Sequence, residues 1–212
     1  MGAGEYSPPM AKLFFYYSTM NAGKSTSLLQ ASYNYSERGM KTALFTYRPV
    51  PDAEFIEISS RIGIREMARP FGPSTDFSVE LAGSTPHCVL VDEAQFLSSD
   101  QVRQLASIVD ERGIPVMCYG LRTDFRGELF SGSAALLAWA DTLTELKTIC
   151  HCGRKATMVV RVGPDGSVER EGGQVEIGGN DRYVALCRKH FCRAHATGVC
   201  GGWHPQGYQS AG

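Results

Sequence analysis

The sequence predicts an α/β fold built around a parallel sheet covered by helices on both faces. Over the first two thirds of the chain, strand-like and helix-like segments alternate, as they do in parallel sheets. The strand-like segments are continuous apolar runs, which is typical of strands buried on both faces. Near residue 149 the composition changes, since five of the seven cysteines follow that point. We therefore expect a main domain over 11–149, a smaller domain over 150–191, a flexible N-terminus over 1–10 and a disordered tail over 192–212.

Composition and charge exclude several classes of function. The 212 residues include 21 basic and 22 acidic side chains, so a net charge of −1 provides no strong attraction to nucleic acid or to an anionic membrane. No run approaches the roughly 20 apolar residues that span a bilayer, and residues 1–9 lack the pattern of a signal peptide. We expect a cytoplasmic protein that binds neither nucleic acid nor membrane. Its cysteines are then metal ligands or free thiols rather than disulfides.

The first three elements are predicted to form a strand–helix–strand unit. The aromatic run over 12–17 favours a strand, and residues 42–47 favour a second one. Between them, residues 24–38 have the pattern of a helix, with Gly39 just past its end. Because the connections are short and a helix intervenes, we expect the two strands to be parallel.

Residues 48–86 are predicted to be loop and connection. Five prolines interrupt this stretch, and only residues 77–81 favour a short helix. Regular elements resume afterwards. Strands are predicted over 87–91, 114–119 and 143–149, helices over 101–111 and 129–139, and strands of the smaller domain over 158–162 and 168–177.

A phosphate-binding loop is predicted between the first strand and the first helix. There Gly23, Lys24 and Ser25 open the helix, so backbone N–H groups and the helix N-terminus can surround a phosphate. Lys24 then reaches the β- and γ-phosphates of a nucleotide, and Ser25 can bind Mg²⁺. The full P-loop pattern has glycine where this chain has Ser18, so an ordinary strand–helix turn with a solvated lysine is the alternative interpretation.

Two adjacent carboxylates are predicted to join this loop. Asp92 and Glu93 directly follow the apolar run over 87–91. In an open parallel sheet, ligands bind outside the carboxyl ends of the strands. One carboxylate can hold Mg²⁺ directly or through water, while the other transfers a proton. The alternative is a surface pair that leads into a loop.

The cysteines of the smaller domain indicate a structural zinc site. Cys150 and Cys152 form one close pair, and Cys187 and His190 form another 35 positions further on. Thiolate and imidazole ligands suit tetrahedral zinc, and four protein ligands leave no open position for catalysis. Other potential ligands lie nearby, and a set of reduced thiols without metal is the alternative. The competing ligands are His151, Cys192 and His195.

Five motifs, taken in order, resemble the type II thymidine kinases, the bacterial and human cytosolic kind. Besides the cysteine pairs, they are YSTMNAGKST at 17–26, VDEAQF at 91–96, YGLRTDF at 119–125 and IGGNDRY at 177–183. The resemblance covers roughly residues 11–191. It implies a RecA-like nucleotide domain with a small zinc-bearing lasso domain. It also implies transfer of the ATP γ-phosphate to the 5′-hydroxyl of thymidine with Mg²⁺, and a homotetramer.

The resemblance also assigns roles to individual residues of this chain. Glu93 would be the general base, Ser25 and Asp92 would serve Mg²⁺, and the zinc ligands would be Cys150, Cys152, Cys187 and His190. The ATP-binding residues would be Ser18, Thr19, Met20, Asn21, Ala22, Gly23, Lys24, Ser25, Asp92, Glu93, Ala94 and Gln95. The nucleoside-binding residues would be Met20, Phe96, Leu121, Phe125, Phe130, Gln174, Val175, Glu176, Ile177, Gly178 and Tyr183.

One loop departs from the family pattern and keeps two other functions open. The family carries an aspartate and an arginine near the substrate after the second strand, but residues 47–54 read YRPVPDAE here. Arg48, Asp52 or Arg61 are the candidates to replace them. The alternatives to a thymidine kinase are a RecA-like P-loop ATPase and a catalytically weak zinc-bearing protein that binds nucleotide or nucleoside.

Overall fold

The computed structural model describes residues 10–50, 53–174 and 182–201, and over these ranges the chain alternates strands with helices. The elements are β1 (Leu13–Ser18), α1 (Lys24–Ser36), β2 (Thr42–Tyr47), β3 (Ile56–Ser59), β4 (Arg65–Phe71), α2 (Phe77–Glu80), β5 (Cys88–Val91), a 3-10 helix (Ala94–Phe96), α3 (Ser99–Arg112), β6 (Val116–Leu121), α4 (Ser131–Trp139), β7 (Thr142–Glu145), β8 (Thr148–Ile149), β9 (Lys155–Ala156), β10 (Met158–Arg161), β11 (Tyr183–Leu186) and α5 (Arg188–Thr197).

A seven-stranded sheet organises the larger domain, in the order β3-β4-β2-β5-β6-β1-β7. Every neighbouring pair is parallel except β3 and β4, which are antiparallel. This confirms the predicted parallel sheet. The carboxyl ends of β1, β5 and β6 therefore open on the same edge, where the P-loop, the two carboxylates and the end of β6 meet.

Helices cover both faces of the sheet. Successive residues of β5 show this, because Val89 and Leu90 point into different hydrophobic clusters. Val89 packs in a cluster that includes Leu105 of α3. Leu90 packs in a second cluster with Leu28 and Leu29 of α1. The continuous apolar run of β5 is thus explained by burial on both sides.

Local sequence signals account for the bounds of α3. Ser98 and Gln101 form a capping box, in which each side chain bonds the backbone N–H of the other residue. Gly113 ends the helix in the left-handed conformation with φ of 63°, as glycine allows. The helix predicted over 101–111 is therefore confirmed and extended by about half a turn at its start.

The prediction of loop and connection over 48–86 is wrong for residues 56–59 and 65–71. Strands β3 and β4 form a hairpin here, and β4 also pairs with β2; the short helix predicted near 77–81 is present as α2. The prolines do not prevent these strands from forming, because β3 pairs with β4 only as far as Ala68. Pro70 lies beyond that pair, so its missing N–H costs no bond to β3. Pairing with β2, rather than local preference, forms this strand.

The smaller domain contains two antiparallel pairs, β8–β9 and β10–β11. The strand predicted over 143–149 is two strands, β7 in the large sheet and β8 opposite β9. The strand predicted over 168–177 is wrong for 168–174, where the chain makes only the bridge between Val162 and Val168. Residues 175–177 lie outside the described residues.

The predicted disorder of 192–212 is wrong for residues 192–201. Helix α5 continues to Thr197, and Cys200 beyond it is buried. Phe191 and Ala194 pack with Val160 and other residues of β10 and β11 in the core of the smaller domain. Many glycines and few apolar residues suggested disorder, but two apolar positions three apart suffice to dock one helix face. Residues 1–9 and 202–212, the predicted flexible end and the rest of the tail, are outside the described ranges.

None of the helices in the described ranges has both the length and the apolar character needed to cross a membrane.

Candidate active site and metal centre

The loop between β1 and α1 has the geometry of a phosphate-binding loop. Two residues take left-handed backbone conformations, Asn21 with φ of 62° and Gly23 with φ of 79°. Glycine adopts this conformation without strain, whereas Asn21 is one of the few residue types that tolerate it. The loop curls back on itself, and α1 begins directly after Gly23. The helix N-terminus therefore faces the space that the loop encloses.

Lys24 lies beneath this loop rather than in solvent. Its side chain is only 8% exposed, and Nζ donates to the Thr19 carbonyl at 3.1 Å and to Oγ of Ser18 at 3.3 Å. Burial lowers the pKa of Lys24, and the nearby charges of Glu93 and Asp92 counteract this effect. The solvated-lysine alternative is thus excluded. Ser18, which replaces the glycine of the usual pattern, contributes a partner for the ammonium group.

Asp92 is a buried carboxylate next to Ser25. Its Oδ2 accepts a hydrogen bond from Oγ of Ser25 at 3.1 Å. Its Oδ1 is buried and has no hydrogen-bond partner within the part of the chain that the structure describes. Burial raises the pKa of Asp92, the charge of Glu93 raises it further, and Lys24 lowers it. An unpartnered buried oxygen beside a serine hydroxyl fits a Mg²⁺ site, because both are oxygen ligands and the cation would supply the missing partner.

Glu93 has a strained backbone and a held side chain. Its φ of 54° lies in the left-handed region, which is uncommon for a residue that is not glycine. Nε2 of Gln95 donates to Oε2 of Glu93, and Oε1 of Gln95 accepts from the backbone N–H of Leu121 at 2.9 Å. Gln95, which is fully buried, therefore links the carboxylate to the end of β6.

Two glycines leave the space that the 3-10 helix carrying Gln95 occupies. A Cβ on Gly120 would lie 2.9 Å from the backbone nitrogen of Gln95. A Cβ on Gly132 of α4 would lie 2.6 Å from the carbonyl oxygen of Ala94. No Cβ makes contacts this short without a shift of the backbone. The position of Glu93 thus depends on glycine on both sides of the turn that follows it.

Two cavities meet at this edge of the sheet. The first, of about 320 Å³, lies above the phosphate-binding loop. It is lined by Met20, Asn21, Ala22, Gly23, Lys24, Ser25, Thr26, Ser59, Ser60, Arg61, Ile62 and Glu93. The second, of about 160 Å³, lies between the two domains. It is lined by Met20, Glu93, Gln95, Phe96, Leu121, Thr123, Asp124, Phe125, Phe130, Val159, Gln174 and Tyr183. Of the residues that the structure describes, only Met20 and Glu93 line both.

The structure brings together every described residue that the resemblance assigned to a nucleoside pocket. Met20, Phe96, Leu121, Phe125, Phe130, Gln174 and Tyr183 all line the second cavity. Val175, Glu176, Ile177 and Gly178 lie outside the described residues. Three further lining residues were not predicted. Thr123 and Asp124 belong to the motif at 119–125, which could have indicated them, whereas Val159 lies in an ordinary apolar strand that carries no such signal.

The carboxylate of Asp124 accepts hydrogen bonds from several groups of the protein itself. Its buried carboxylate accepts from the guanidinium of Arg126 and from the backbone N–H of Glu128 at 2.9 Å. It also accepts from Nε2 of Gln174 at 3.2 Å. The carboxylate therefore orients Gln174, which belongs to the smaller domain, against a loop of the larger one.

The first cavity differs from the prediction in two ways. Five residues assigned to ATP binding do not line this cavity, namely Ser18, Thr19, Asp92, Ala94 and Gln95. Ser18 and Thr19 are buried and accept hydrogen bonds from Lys24, and Asp92 is buried next to Ser25. Ala94 is buried in the core, and Gln95 faces Leu121 and Glu93. The hairpin of β3 and β4 contributes lining residues from 59–62, and of these only Arg61 was considered in advance. No local signal marks the others, since sheet order alone brings that hairpin to the loop.

Arg61 is the candidate arginine that the structure places at the phosphate-binding loop. Its Nη2 donates to Oδ1 of Asn21. Arg48 is exposed and is not among the lining residues of either cavity, and its backbone N–H donates to the carbonyl of Phe71. Asp52 lies outside the described residues.

The four predicted zinc ligands converge in the smaller domain. The ligand atoms of Cys150, Cys152, Cys187 and His190 all lie within 4.8 Å of one another. Sγ of Cys152 and Sγ of Cys187 are 3.9 Å apart, and Nδ1 of His190 is 3.3 Å from Sγ of Cys150. Tetrahedral zinc with bonds of about 2.3 Å to sulfur places its ligands at such separations. The cluster could therefore hold a zinc ion.

Two of the competing ligands have other positions. Nε2 of His195 lies 3.0 Å from the carbonyl oxygen of Phe125, and Cys192 is exposed. His151 stacks on His190, with the ring centroids 4.3 Å apart. The set of three cysteines and one histidine does not include any of these three.

Comparison with known proteins gives consistent matches over most of the chain. A family model described as thymidine kinase matches residues 11–191. The thymidine kinase of Jannaschia sp. (strain CCS1) is 62% identical over 189 residues, which cover 87% of this chain and 97% of that protein. The thymidine kinase of Salmonella typhimurium is 59% identical over 186 residues, with 86% and 91% covered. That of Vibrio parahaemolyticus is 56% identical over 189 residues, with 87% and 98% covered.

Proposed function

We propose that this chain, which belongs to the thymidine kinase family, transfers the γ-phosphate of ATP to the 5′-hydroxyl of thymidine, giving thymidine monophosphate and ADP. The observation that carries the proposal is the position of Glu93, which lines both the cavity above the phosphate-binding loop and the second cavity. A base at that junction can reach a hydroxyl group presented from one side and a phosphate presented from the other.

The first cavity holds the triphosphate of ATP. Residues 20–25 line it, with the backbone N–H groups at the start of α1 directed at the phosphates. Lys24 leaves its carbonyl partner to bind the β- and γ-phosphates. Ser25 and Asp92 hold Mg²⁺, which when bound neutralises negative charge on the phosphates. The buried Oδ1 of Asp92, which finds no hydrogen-bond partner among the described residues, supports this assignment.

The second cavity holds thymidine. Its walls are largely apolar and aromatic, and Phe96 and Phe130 meet edge to face with ring centroids 5.8 Å apart. A flat base packs well in such a space, and a few polar groups at its edge give it orientation. The sugar then points its 5′-hydroxyl toward Glu93, which accepts the proton as the oxygen attacks the γ-phosphorus. ADP leaves from the opposite side, and no phosphoenzyme forms.

Arg61 screens charge on the transferred phosphate. It reaches the loop from the β3–β4 hairpin and already contacts Asn21. A guanidinium at this position stabilises the extra negative charge that the equatorial oxygens carry in the transition state. The family pattern of an aspartate and an arginine after β2 is absent from this chain, and Arg61 takes the role of that arginine.

The proposal also covers the metal content, the cellular location and the oligomeric state of the protein. The cluster of Cys150, Cys152, Cys187 and His190 binds a structural zinc ion, which ties the start of the smaller domain to α5. The protein acts in the cytoplasm as a homotetramer, as the family resemblance implies.

The test is ADP release from Mg-ATP by the purified protein. It is measured without nucleoside and then with thymidine, deoxycytidine, deoxyadenosine or deoxyguanosine. We expect release only with thymidine, together with formation of thymidine monophosphate. Equal release without nucleoside would indicate a P-loop ATPase. Binding of ATP and thymidine without any release would indicate a binding protein, and either result would overturn the proposal.

A further inference from the structure

Arg161 at the end of β10 is the largest fully buried side chain of the described residues, with only 2% exposed. A buried guanidinium is costly unless every donor finds a partner. Here Nε donates to Glu169, and Nη1 donates to the carbonyl of Gly173 at 3.0 Å. Nη2 donates to the carbonyl of Glu171 at 3.4 Å. Tyr183 lies opposite Arg161 in the register of the antiparallel β10–β11 pair, so the two side chains are cross-strand neighbours. Its charge and donors are therefore satisfied by one stretch, residues 169–173, while Tyr183 of β11 lies on its other side.

The guanidinium of Arg161 packs against residues that form one wall of the second cavity, on the side that faces away from the cavity. Its Cζ lies 3.9 Å from the ring centroid of Phe125, a cation–π contact at close range. Phe125 and Tyr183 both line the cavity, whereas Arg161 does not. Gln174, the residue after the Gly173 carbonyl that Arg161 binds, lines it as well. One side chain that never reaches the cavity thus contacts or adjoins three residues that form it.

The backbone next to Arg161 is adapted to it. Gly172 has φ of 122°, and a Cβ there would lie 2.6 Å from Nη2 of Arg161. Any other residue at 172 would be strained by the backbone conformation and would also displace the guanidinium. Gly172 therefore provides a second, independent way to move Arg161 without changing it.

We propose that Arg161 is a positioning residue that sets the affinity for the nucleoside, because it holds Phe125, Tyr183 and the segment ending at Gln174 as one rigid wall. The inference rests on the proposed function, since it assigns the second cavity to the nucleoside. The wall combines a loop of the larger domain with two segments of the smaller one, and only a side chain with several fixed donors can hold all three at once. Arg161 is not among the residues that line the first cavity, so we expect binding of ATP to be little affected by its replacement.

The experiment measures the KM values of thymidine and of ATP separately for Arg161→Met, Arg161→Lys and Gly172→Ala. We expect the KM of thymidine to rise by about tenfold to a hundredfold in Arg161→Met and Gly172→Ala, as displacement of a binding group by about 1 Å can produce. Arg161→Lys keeps the charge but loses the planar fork, so its KM for thymidine rises as well. The KM of ATP should stay within about twofold of the unmodified value.

Arg170→Met is the matched control, because Arg170 lies in the same domain but is exposed and lines neither cavity. Its KM values should equal those of the unmodified protein. Thermal unfolding is recorded for each variant, and calorimetry measures thymidine binding directly. If Arg161→Met does not fold, Arg161→Lys and Gly172→Ala decide the question.

Two results would overturn the inference. One is an unchanged KM for thymidine in the folded variants, and the other is an equal rise in both KM values, which would indicate a purely structural role. Failure of the proposed function is distinguishable, because it would appear in the unmodified protein as no thymidine-dependent ADP release. Calorimetry of thymidine binding would then still test whether Arg161 acts on the second cavity.

Discussion

The hydroxyl of Ser25 donates a hydrogen bond to Oδ2 of Asp92 at 3.1 Å, although 67 positions separate the two residues along the chain. The bond joins the start of α1 to the end of β5, two strands away from β1 in the sheet. Because Oδ1 of the same carboxylate is buried without a partner among the described residues, the pair could provide two of the oxygen ligands of a hydrated Mg²⁺ ion.

We expect Asp92→Asn to raise the Mg²⁺ concentration needed for half-maximal activity by about tenfold or more, because a neutral amide is a weaker ligand than a carboxylate. The measurement is a Mg²⁺ titration of ADP release at saturating substrates. Asp100→Asn is the control, since Asp100 lies on the exposed surface of α3. A titration curve shared by the two variants would show that Asp92 does not serve the metal.

Glu93→Gln is expected to lower kcat by about 10²- to 10⁴-fold, the usual contribution of a general base. Glutamine has nearly the same shape but cannot accept the proton of the 5′-hydroxyl. Binding of ATP, measured by calorimetry, should remain close to normal because Lys24 and the loop are untouched. Near-normal turnover in this variant would mean that another group takes the proton.

Arg61→Ala is expected to lower kcat by about 10²-fold, the loss typical of one stabilising donor at a developing charge. Arg48→Ala is the matched comparison, because Arg48 is exposed and lines neither cavity. Steady-state kinetics of both variants at saturating ATP and thymidine gives the answer. The assignment of Arg61 fails if both variants keep the unmodified kcat, or if Arg48→Ala has the larger effect.

Gly132→Ala is expected to destabilise the fold by about 1–3 kcal/mol, the range for an overpacked contact. Its Cβ would lie 2.6, 2.7 and 2.8 Å from the carbonyl oxygens of Ala94, Leu97 and Gln95. Because these belong to the turn after Glu93, turnover should fall as well. Gly83→Ala, where a Cβ meets nothing within 4 Å, is the control. Equal urea unfolding midpoints for the two variants would contradict the packing argument.

Cys152→Ser is expected to remove bound zinc and to lower the midpoint of thermal unfolding, because structural zinc contributes directly to folding free energy. Treatment of the unmodified protein with a strong chelator should lower the midpoint in the same way. Cys192→Ser is a close control, as this exposed cysteine lies outside the cluster. Elemental analysis and thermal unfolding are the measurements. Full zinc content in Cys152→Ser would exclude the proposed ligand set.

The predictions that the structure bears out concern elements whose signals are local. The strand before Ser18 and the helix after Gly23 were found at their predicted places, within one or two residues of the expected bounds. The cysteine and histidine pairs were also found together. In each case the residues that matter are neighbours in sequence, or belong to short motifs whose spacing limits what they can form.

The wrong predictions concern segments whose structure depends on distant partners. The stretch over 48–86 forms β3 and β4 because β2 offers an edge to pair with, in spite of five prolines. Residues 192–201 are ordered because α5 docks on β10 and β11. Local preference is a weak guide where pairing or burial supplies the larger free energy.

The parallel α/β class, the phosphate-binding loop, the carboxylate pair and the cysteine pairs could be predicted from the sequence, because each depends on a few consecutive residues. The folded chain was needed to show that Arg61 meets Asn21, that Gln95 holds Glu93 rather than lining the first cavity, and that Arg161 packs against Phe125 at the wall of the second. These contacts join residues from separate elements. They depend on strand order and on how two domains pack, which no local pattern encodes.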